Sequence, residues 1–396
     1  MESYRFLLVL GIILLSTKVL GLLSERVHMP QVVGALLAGI LLGPSVLGMV
    51  SETDFLTKTS EIGVIILMFS AGLDTELKEL RKTGIASFII ALIGVIVPLV
   101  GGYACYEVFF GSGADPERVL KGLFIGVVLT ATSVSITVET LREMGRLHGK
   151  VGTAILGAAV IDDVLGLIAL TVLSAFTDES VRIHVVLGRI GLFFLFVGIV
   201  GFVAHKIFAR MDMAWGEKRR VAIGGLVFCL FMSYLSEVLF GIADITGAYF
   251  AGLILCNIMR TRSYIAKKLT VISYMFFSPV FFASIGIKTE LTGMSGKLFV
   301  FSVVLLVVAI LTKILGCGLG AKACGFRMHE ALSVGVGMVS RGEVALIVAQ
   351  KGAQAGLVDE HMFPAIVLVV IVTTLITPIL LKLVMRHDPP QPATQT

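Results

Sequence analysis

The 396-residue sequence predicts an all-α polytopic membrane protein, with about thirteen transmembrane helices in two inverted five-helix repeats whose broken helices cross. Three observations predict it. The chain is 57% hydrophobic and only 15% charged, with a mean hydropathy of +0.99, where a soluble domain carries about 25% charged residues. The apolar excess falls into segments of bilayer-crossing length along the whole chain. Two motifs in the first half return, in the same register, in the second.

The thirteen segments lie near residues 4–23, 31–50, 61–77, 84–106, 119–138, 151–176, 184–204, 221–240, 242–258, 269–287, 298–320, 331–350 and 362–384. Charge or Gly/Pro clusters bound each of them. Gly241 divides the eighth from the ninth, and Pro98 predicts a bend in the fourth. The first lacks a small-residue cleavage pattern and reads as a retained span. Five cysteines with neither CxxC nor metal spacing read as small apolar residues. The +5 formal charge is not a nucleic-acid signature, because the basic residues sit in connections and not on one face. Residues 388–396 read as a short disordered tail, with no soluble domain after the last span.

Lys and Arg in the connections orient the chain. Twenty fall on one side, eight on the other, and four (Lys18, Arg189, Lys313 and Arg341) lie within spans. The positive-inside rule then places the N-terminus outside and the C-terminus in the cytoplasm. Trp215 falls in a basic cytoplasmic connection and suits an interfacial anchor. Lys18 and Arg189 read as snorkelling residues.

The repeat is carried by Gly34-Ala-Leu-Leu-Ala-Gly-Ile-Leu-Leu42 in the second span against Gly247-Ala-Tyr-Phe-Ala-Gly-Leu-Ile-Leu255 in the ninth. It is carried again by Gly72-Leu-Asp-Thr-Glu-Leu77, ending the third, against Gly286-Ile-Lys-Thr-Glu-Leu291, ending the tenth. Copies seven spans apart enter the membrane from opposite sides, which is a transporter feature. Extending the register pairs the fifth span with the twelfth, and both look interrupted. The fifth carries the polar run Leu129-Thr-Ala-Thr-Ser-Val-Ser135, with Thr130, Thr132 and Ser133 at its centre; the twelfth carries Gly335-Val-Gly-Met-Val-Ser-Arg341-Gly-Glu343. Unwound helices that cross would aim half-helix dipole ends at one another, which Arg341 and Glu343 could neutralise. In the structural alternative Arg341 and Glu343 form a salt bridge and the hydroxyls bond back along their own helix. Gly39-Ile-Leu-Leu-Gly43 is a helix-contact pattern of ordinary close packing.

The sixth span holds the adjacent carboxylates Asp162 and Asp163 near its middle. An ionised carboxylate there costs about 2.5–3.5 kcal/mol on insertion scales and needs a partner, a proton or water. A helix bent to bring both acids to a headgroup region is the bland alternative. Lys313, mid-span in the eleventh segment, is the cation that wants such a partner, unless it snorkels to an interface. Residues i and i+1 point about 100° apart, so one acid can pair with Lys313 while the other faces a water-filled cavity. A cavity carboxylate among hydroxyls and carbonyls is a hard oxygen site for a small monovalent cation, and a proton can compete for it. All seven histidines fall at or near segment ends, leaving proton coupling to the acids and Lys313.

These residues resemble the monovalent cation:proton antiporter-2 family, within the fold of the bacterial sodium/proton antiporters. The resemblance runs through Pro30-Gln-Val-Val-Gly-Ala-Leu-Leu-Ala-Gly-Ile-Leu-Leu-Gly-Pro44, Phe69-Ser-Ala-Gly-Leu73, Thr130-Ala-Thr-Ser-Val134, Asp162-Asp163, Thr312-Lys313 and Arg341-Gly-Glu343. It implies dimerisation-domain helices over 1–80 and 211–292, core-domain helices over 81–178 and 293–387, and a linker helix over 179–210. It implies Asp163 as the principal ligand of transported Na+ (or Li+ or K+) and H+, and Asp162 as the ion-pair partner of Lys313. An Asp-Asp pair in this fold is associated with electrogenic exchange. The implied setting is a homodimer in a prokaryotic plasma membrane, working by elevator-type movement with no cofactor, enzymatic activity or nucleic-acid partner.

Potassium/proton exchange or potassium efflux is the near alternative. Potassium-efflux relatives usually carry Gln before the Asp and append a nucleotide-binding domain, neither of which is present here, so sodium is favoured. Organic-anion symport on the same fold is disfavoured by the Asp pair with Lys313. An intramembrane aspartyl protease needs two carboxylates from different helices sharing a proton, and there is no GxGD motif.

Overall fold

The computed structural model describes residues 4–26, 29, 31–75, 77–111, 117–147, 149–177, 183–215, 219–288, 296–342, 344–345, 348–349 and 362–387. Among them helix is the one regular structure, with no strand. Ten helices are long and apolar enough to cross a membrane, and two shorter apolar helices accompany them. The α-helices of the described residues are, in order, α1 (Arg5–Arg26), α2 (Gln31–Leu42), α3 (Asp54–Asp74), α4 (Leu77–Phe110), α5 (Arg118–Thr130), α6 (Val134–Glu143), α7 (Lys150–Thr177) and α8 (Ile183–Trp215). There follow α9 (Arg219–Leu235), α10 (Asp244–Leu255), α11 (Met259–Ile272), α12 (Ser278–Ile287), α13 (Gly296–Ala323), α14 (Met328–Gly337) and α15 (Phe363–Val384). The expected fifth span is α5 plus α6, the tenth is α11 plus α12, and the twelfth begins with α14. Pro98 lies inside α4, which runs through it as one helix of 34 residues. The tail, 388–396, lies outside the described residues.

Lipid offers a backbone no hydrogen bonds, so each span must satisfy its own. Buried hydroxyls follow the same rule and donate one turn back: Thr17 to the Ile13 carbonyl at 2.8 Å, Thr373 to Val369 at 2.7 Å and Thr377 to Thr373 at 2.7 Å. Two π-helical turns depart from the regular ladder, Ser236–Phe240 after α9 and Ser273–Phe277 between α11 and α12. The first ends at Gly241, whose φ of 67° stops the helix, as its sequence position predicts.

The helices pack as two neighbourhoods. In one, α4 lies against α13, α5 and α7, while α13 lies against α14 and α15. In the other, α1 packs on α2, α2 on α12, and α3 on α10 and α12. Contacts between the neighbourhoods are few, through α6 with α2 and α3, α15 with α2, and α7 with α8.

Glycine makes the closest approaches. A Cβ on Gly39 (α2) would stand 2.0 Å from the Ala283 carbonyl oxygen on α12, and one on Gly286 (α12) 2.5 Å from the Ile40 amide nitrogen. The same exchange links α3 and α10, where a Cβ on Gly72 would meet the Tyr249 oxygen at 2.2 Å and one on Gly252 the Phe69 oxygen at 2.2 Å. Each repeated motif therefore packs against the other motif's copy, the reciprocal pattern that a two-fold relation between the halves would give. Small residues let backbones meet where lipid supplies no hydrophobic drive. Gly72→Leu is expected to force α3 from α10, lower the melting temperature in detergent and cost about 1–3 kcal/mol or more; an unchanged melting temperature would show the contact to be unimportant.

Candidate functional site

The crossing is built where α5 stops at Thr130, residues 131–133 run extended, and α6 resumes at Val134. From the other side α14 stops at Gly337, and 339–342 continue without helix. The two extended stretches satisfy each other. The Ser133 amide donates to the Ser340 carbonyl at 2.8 Å, and the Ser340 hydroxyl donates to the Ser133 carbonyl at 2.8 Å. Thr137 donates from its hydroxyl to the Gly337 carbonyl at 2.7 Å, and Thr132 to the Met338 carbonyl at 3.4 Å. Thr130 instead bonds back to the Val127 carbonyl at 2.7 Å. The polar run thus serves both expectations, with Thr132 and Ser133 tied across the crossing and Thr130 tied to its own helix.

Arg341 is only 1% exposed and meets carbonyls, not a carboxylate, among the described residues. Its Nη1 donates to Val339 at 2.7 Å and Met338 at 3.3 Å, beyond the end of α14. Its Nη2 donates to Leu129 at 2.7 Å, at the end of α5, and reaches Ala309 on α13 at 3.4 Å. One guanidinium therefore serves the negative ends of two half-helices, each the site of unsatisfied carbonyls. Its own carbonyl accepts a hydrogen bond from the Thr374 hydroxyl on α15. Glu343, the other residue expected to neutralise these ends, lies outside the described residues.

Beside the crossing, α7 carries the two acids. Asp162 is 1% exposed and Lys313 on α13 is 0% exposed. Lys313 Nζ donates to both carboxylate oxygens of Asp162, at 2.9 and 3.1 Å. The snorkelling alternative for Lys313 therefore does not describe this geometry. Close packing of α4 confines the pair: a Cβ on Gly94 would lie 2.3 Å from Cys317 Sγ and 3.9 Å from Lys313 Nζ. One position on, Asp163 is partly exposed and points elsewhere, as helix geometry requires. It lines a cavity of about 150 Å³ with Asp162, Thr130, Gly166, Glu237 and the 241–243 turn. The cavity runs from the middle of α7 and the end of α5 to the turn between α9 and α10. Oxygen donors of this kind suit a small monovalent cation, which here would be cargo and not a resident metal.

At the opposite end lies a charge cluster that the sequence did not signal. Glu139 on α6 is 2% exposed and pairs with Arg142 at 3.4 Å; Arg142 also reaches Asp74, at the end of α3, at 3.5 Å. Glu143 accepts from the Gln31 and Val32 amides at 2.6 and 3.2 Å, capping α2 from α6. The fifth segment is read to end at residue 138, so Glu139 looks like a loop acid. Its place one turn beyond a buried polar run was the available clue.

The family described as sodium/hydrogen exchanger, transmembrane, matches residues 11–387. The chain belongs to the sodium/hydrogen exchanger family. Its kind is a secondary transporter, not an enzyme. This exchanger is 40% identical to the Na(+)/H(+)-K(+) antiporter GerN of Bacillus cereus, over 96% of each chain. It is 37% identical to a Na(+)/H(+) antiporter of Enterococcus hirae, over 96% of this chain and 97% of the other. Among solved structures, the sodium proton antiporter MjNhaP1 of Methanocaldococcus jannaschii superposes with a TM-score of 0.69 at 17% identity, covering 98% of both chains. At that identity the likeness shows the fold alone, and the exchanger has the antiporter fold expected from its sequence.

Proposed function

We propose that this exchanger moves Na+, with Li+ as a congener, against H+, and that cation and proton compete for Asp163. The observation that carries this reading is the division of labour on α7. Asp162 is held by Lys313, whereas Asp163 opens on a cavity. A carboxylate there can hold a metal ion or a proton but not both, so loading one displaces the other. The paired charges beside it allow Lys313 to release its proton when Asp162 is drawn away, which supports electrogenic exchange.

The helix neighbourhoods support an elevator-type cycle. The group around α4, α5, α7, α13, α14 and α15 carries the crossing and both acids, and it touches the other group through few contacts. Sliding one group against the other would move the site between faces without unwinding a span. In this reading the dimerisation and core ranges implied by the family resemblance are the two moving bodies, with α8 as linker. A homodimer, with the N-terminus outside and the C-terminus cytoplasmic in a prokaryotic plasma membrane, completes the reading. Cross-linking in native membranes tests the dimer.

Potassium is the second reading, favoured by one observation: the 40% identical relative from Bacillus cereus is named for K(+) as well as Na(+). The protease alternative finds no support, since Asp162 pairs with a lysine and not with a second acid.

Proton movement in proteoliposomes, with Na+, Li+ and K+ titrated separately at several pH values, tests the reading. The expected result is saturable exchange with Na+ and Li+. Acidification should raise the half-saturating cation concentration at constant maximal rate, as competition for one carboxylate requires. A response to K+ alone would replace sodium with potassium, and no response to any cation would end both readings.

A further inference from the structure

Among the described residues, Glu237 is the one carboxylate besides the α7 pair that lines the Asp163 cavity. It lies just after α9 in the π-helical turn Ser236–Phe240, on the wall facing α7. That turn is held rigidly. The Gly241 and Ile242 amides close it by donating to the Glu237 and Ser236 carbonyls, each at 3.0 Å, and the Ser236 hydroxyl donates to the Met232 carbonyl at 2.6 Å. Helix α10 seals it from behind, since a Cβ on Gly247 would stand 2.2 Å from Ser236 Oγ. A π turn takes an extra residue into one turn of helix and rotates the residues beyond it, and such turns frequently occur at functional sites.

The neighbouring acids are already engaged. Asp244 accepts from the Ile245 amide at 2.7 Å, in the first turn of its own helix, and Glu61 pairs with Lys58 at 3.1 Å. Glu237 is exposed, and among the described residues no Lys or Arg pairs with it. An exposed carboxylate without a basic partner keeps its charge free to attract a hydrated cation. Two carboxylates then face one small cavity from two walls: Asp163 inside it and Glu237 where it meets the surface. An acid-lined cleft between low-dielectric walls raises the local concentration of cations.

We propose that Glu237 recruits the transported cation: its carboxylate gathers the hydrated monovalent cation at the cavity's opening and thereby sets apparent affinity from that membrane face alone. The inference rests on the reading of Asp163 as the exchange site. Glu237 belongs to the α9 wall and not to the α7 helix, so it can act only while the cavity opens on its side. From the opposite face the cation reaches Asp163 without meeting it.

The test compares Na+-dependent proton movement in right-side-out and everted vesicles carrying the full chain, wild type against Glu237→Gln. The expected result is a rise of about threefold or more in half-saturating Na+ from the face where α7 and α9 end, with no change from the other face and an unchanged maximal rate. Choline chloride should shrink the difference by screening. A Glu237→Cys variant gives a second route that does not depend on how Glu237→Gln folds: a negatively charged thiol reagent should restore affinity, and a positively charged one should worsen it. Equal half-saturation in wild type and variant, equal loss from both faces, or a lower maximal rate at unchanged half-saturation would each overturn recruitment. A wild type silent to Na+ from both faces would instead overturn the exchange reading on which recruitment rests.

Discussion

Asp163→Asn is expected to reduce cation-dependent proton movement to the level of protein-free liposomes, while the purified variant melts near the wild-type temperature. The two side chains are nearly isosteric, so the cavity shape survives. What is lost is the ionisable group. The amide oxygen remains a donor to a cation, but it carries no charge and takes up no proton, so binding weakens and the competition that couples the two ions disappears. The adjacent Asp162 cannot take over. It is buried, and both its oxygens accept from Lys313. Saturable exchange retained by the variant would remove Asp163 from the mechanism. A collapsed melting temperature would instead make its role structural.

Lys313→Gln is expected to have the largest effect on stability. Lys313 and Asp162 are both buried, and removing one member of a buried ion pair typically costs about 3–5 kcal/mol because the other charge is left uncompensated. The variant relieves that cost by letting Asp162 take up a proton, after which the Gln amide can still share a hydrogen bond with it. Exchange should therefore persist at a reduced level, with a weaker response to an imposed membrane potential, because the cycle has lost a charge. Replacing both members with apolar residues, as in Lys313→Met with Asp162→Leu, should recover most of the lost stability, since a well-packed apolar pair is often as stable as a buried ion pair. If Lys313→Gln melts like wild type and responds equally to potential, the pair contributes nothing to either property.

How much of this was legible in the chain varies with the residue. Asp162, Asp163 and Lys313 stand out in the chain, because a charge within a lipid-spanning run is expensive wherever its partner lies. The interruptions at 129–135 and 335–343 were legible for a related reason, since a run of hydroxyls and glycines in mid-span marks a helix that can unwind. The choice between the two acids was not derivable from spacing. Geometry requires that they diverge, but only the positions of α7 and α13 decide which of them meets Lys313. Arg341 suits the helix ends, with a salt bridge to Glu343 as the alternative, and its four carbonyl contacts depend on where α5, α13 and α14 converge. Glu139 and Glu237 carry no such mark, because each sits near a segment boundary, where an acid is ordinarily solvated.

The sequence by itself determined the solvent, the two interrupted spans and the charges that lipid would not leave alone. Each arises from a local cost, paid residue by residue against hydrocarbon, and so leaves its mark in composition and period. The tertiary structure alone decided the cavity before Asp163, the carbonyl cage around Arg341 and the wall that carries Glu237, and it set Asp162 against Lys313, a choice that spacing left open. Inside a bilayer an apolar helix face is almost as well placed against lipid as against another helix. Lateral contacts are therefore chosen by glycine-scale fit and by convergent hydrogen bonds between distant segments, and neither is written in any single stretch of chain.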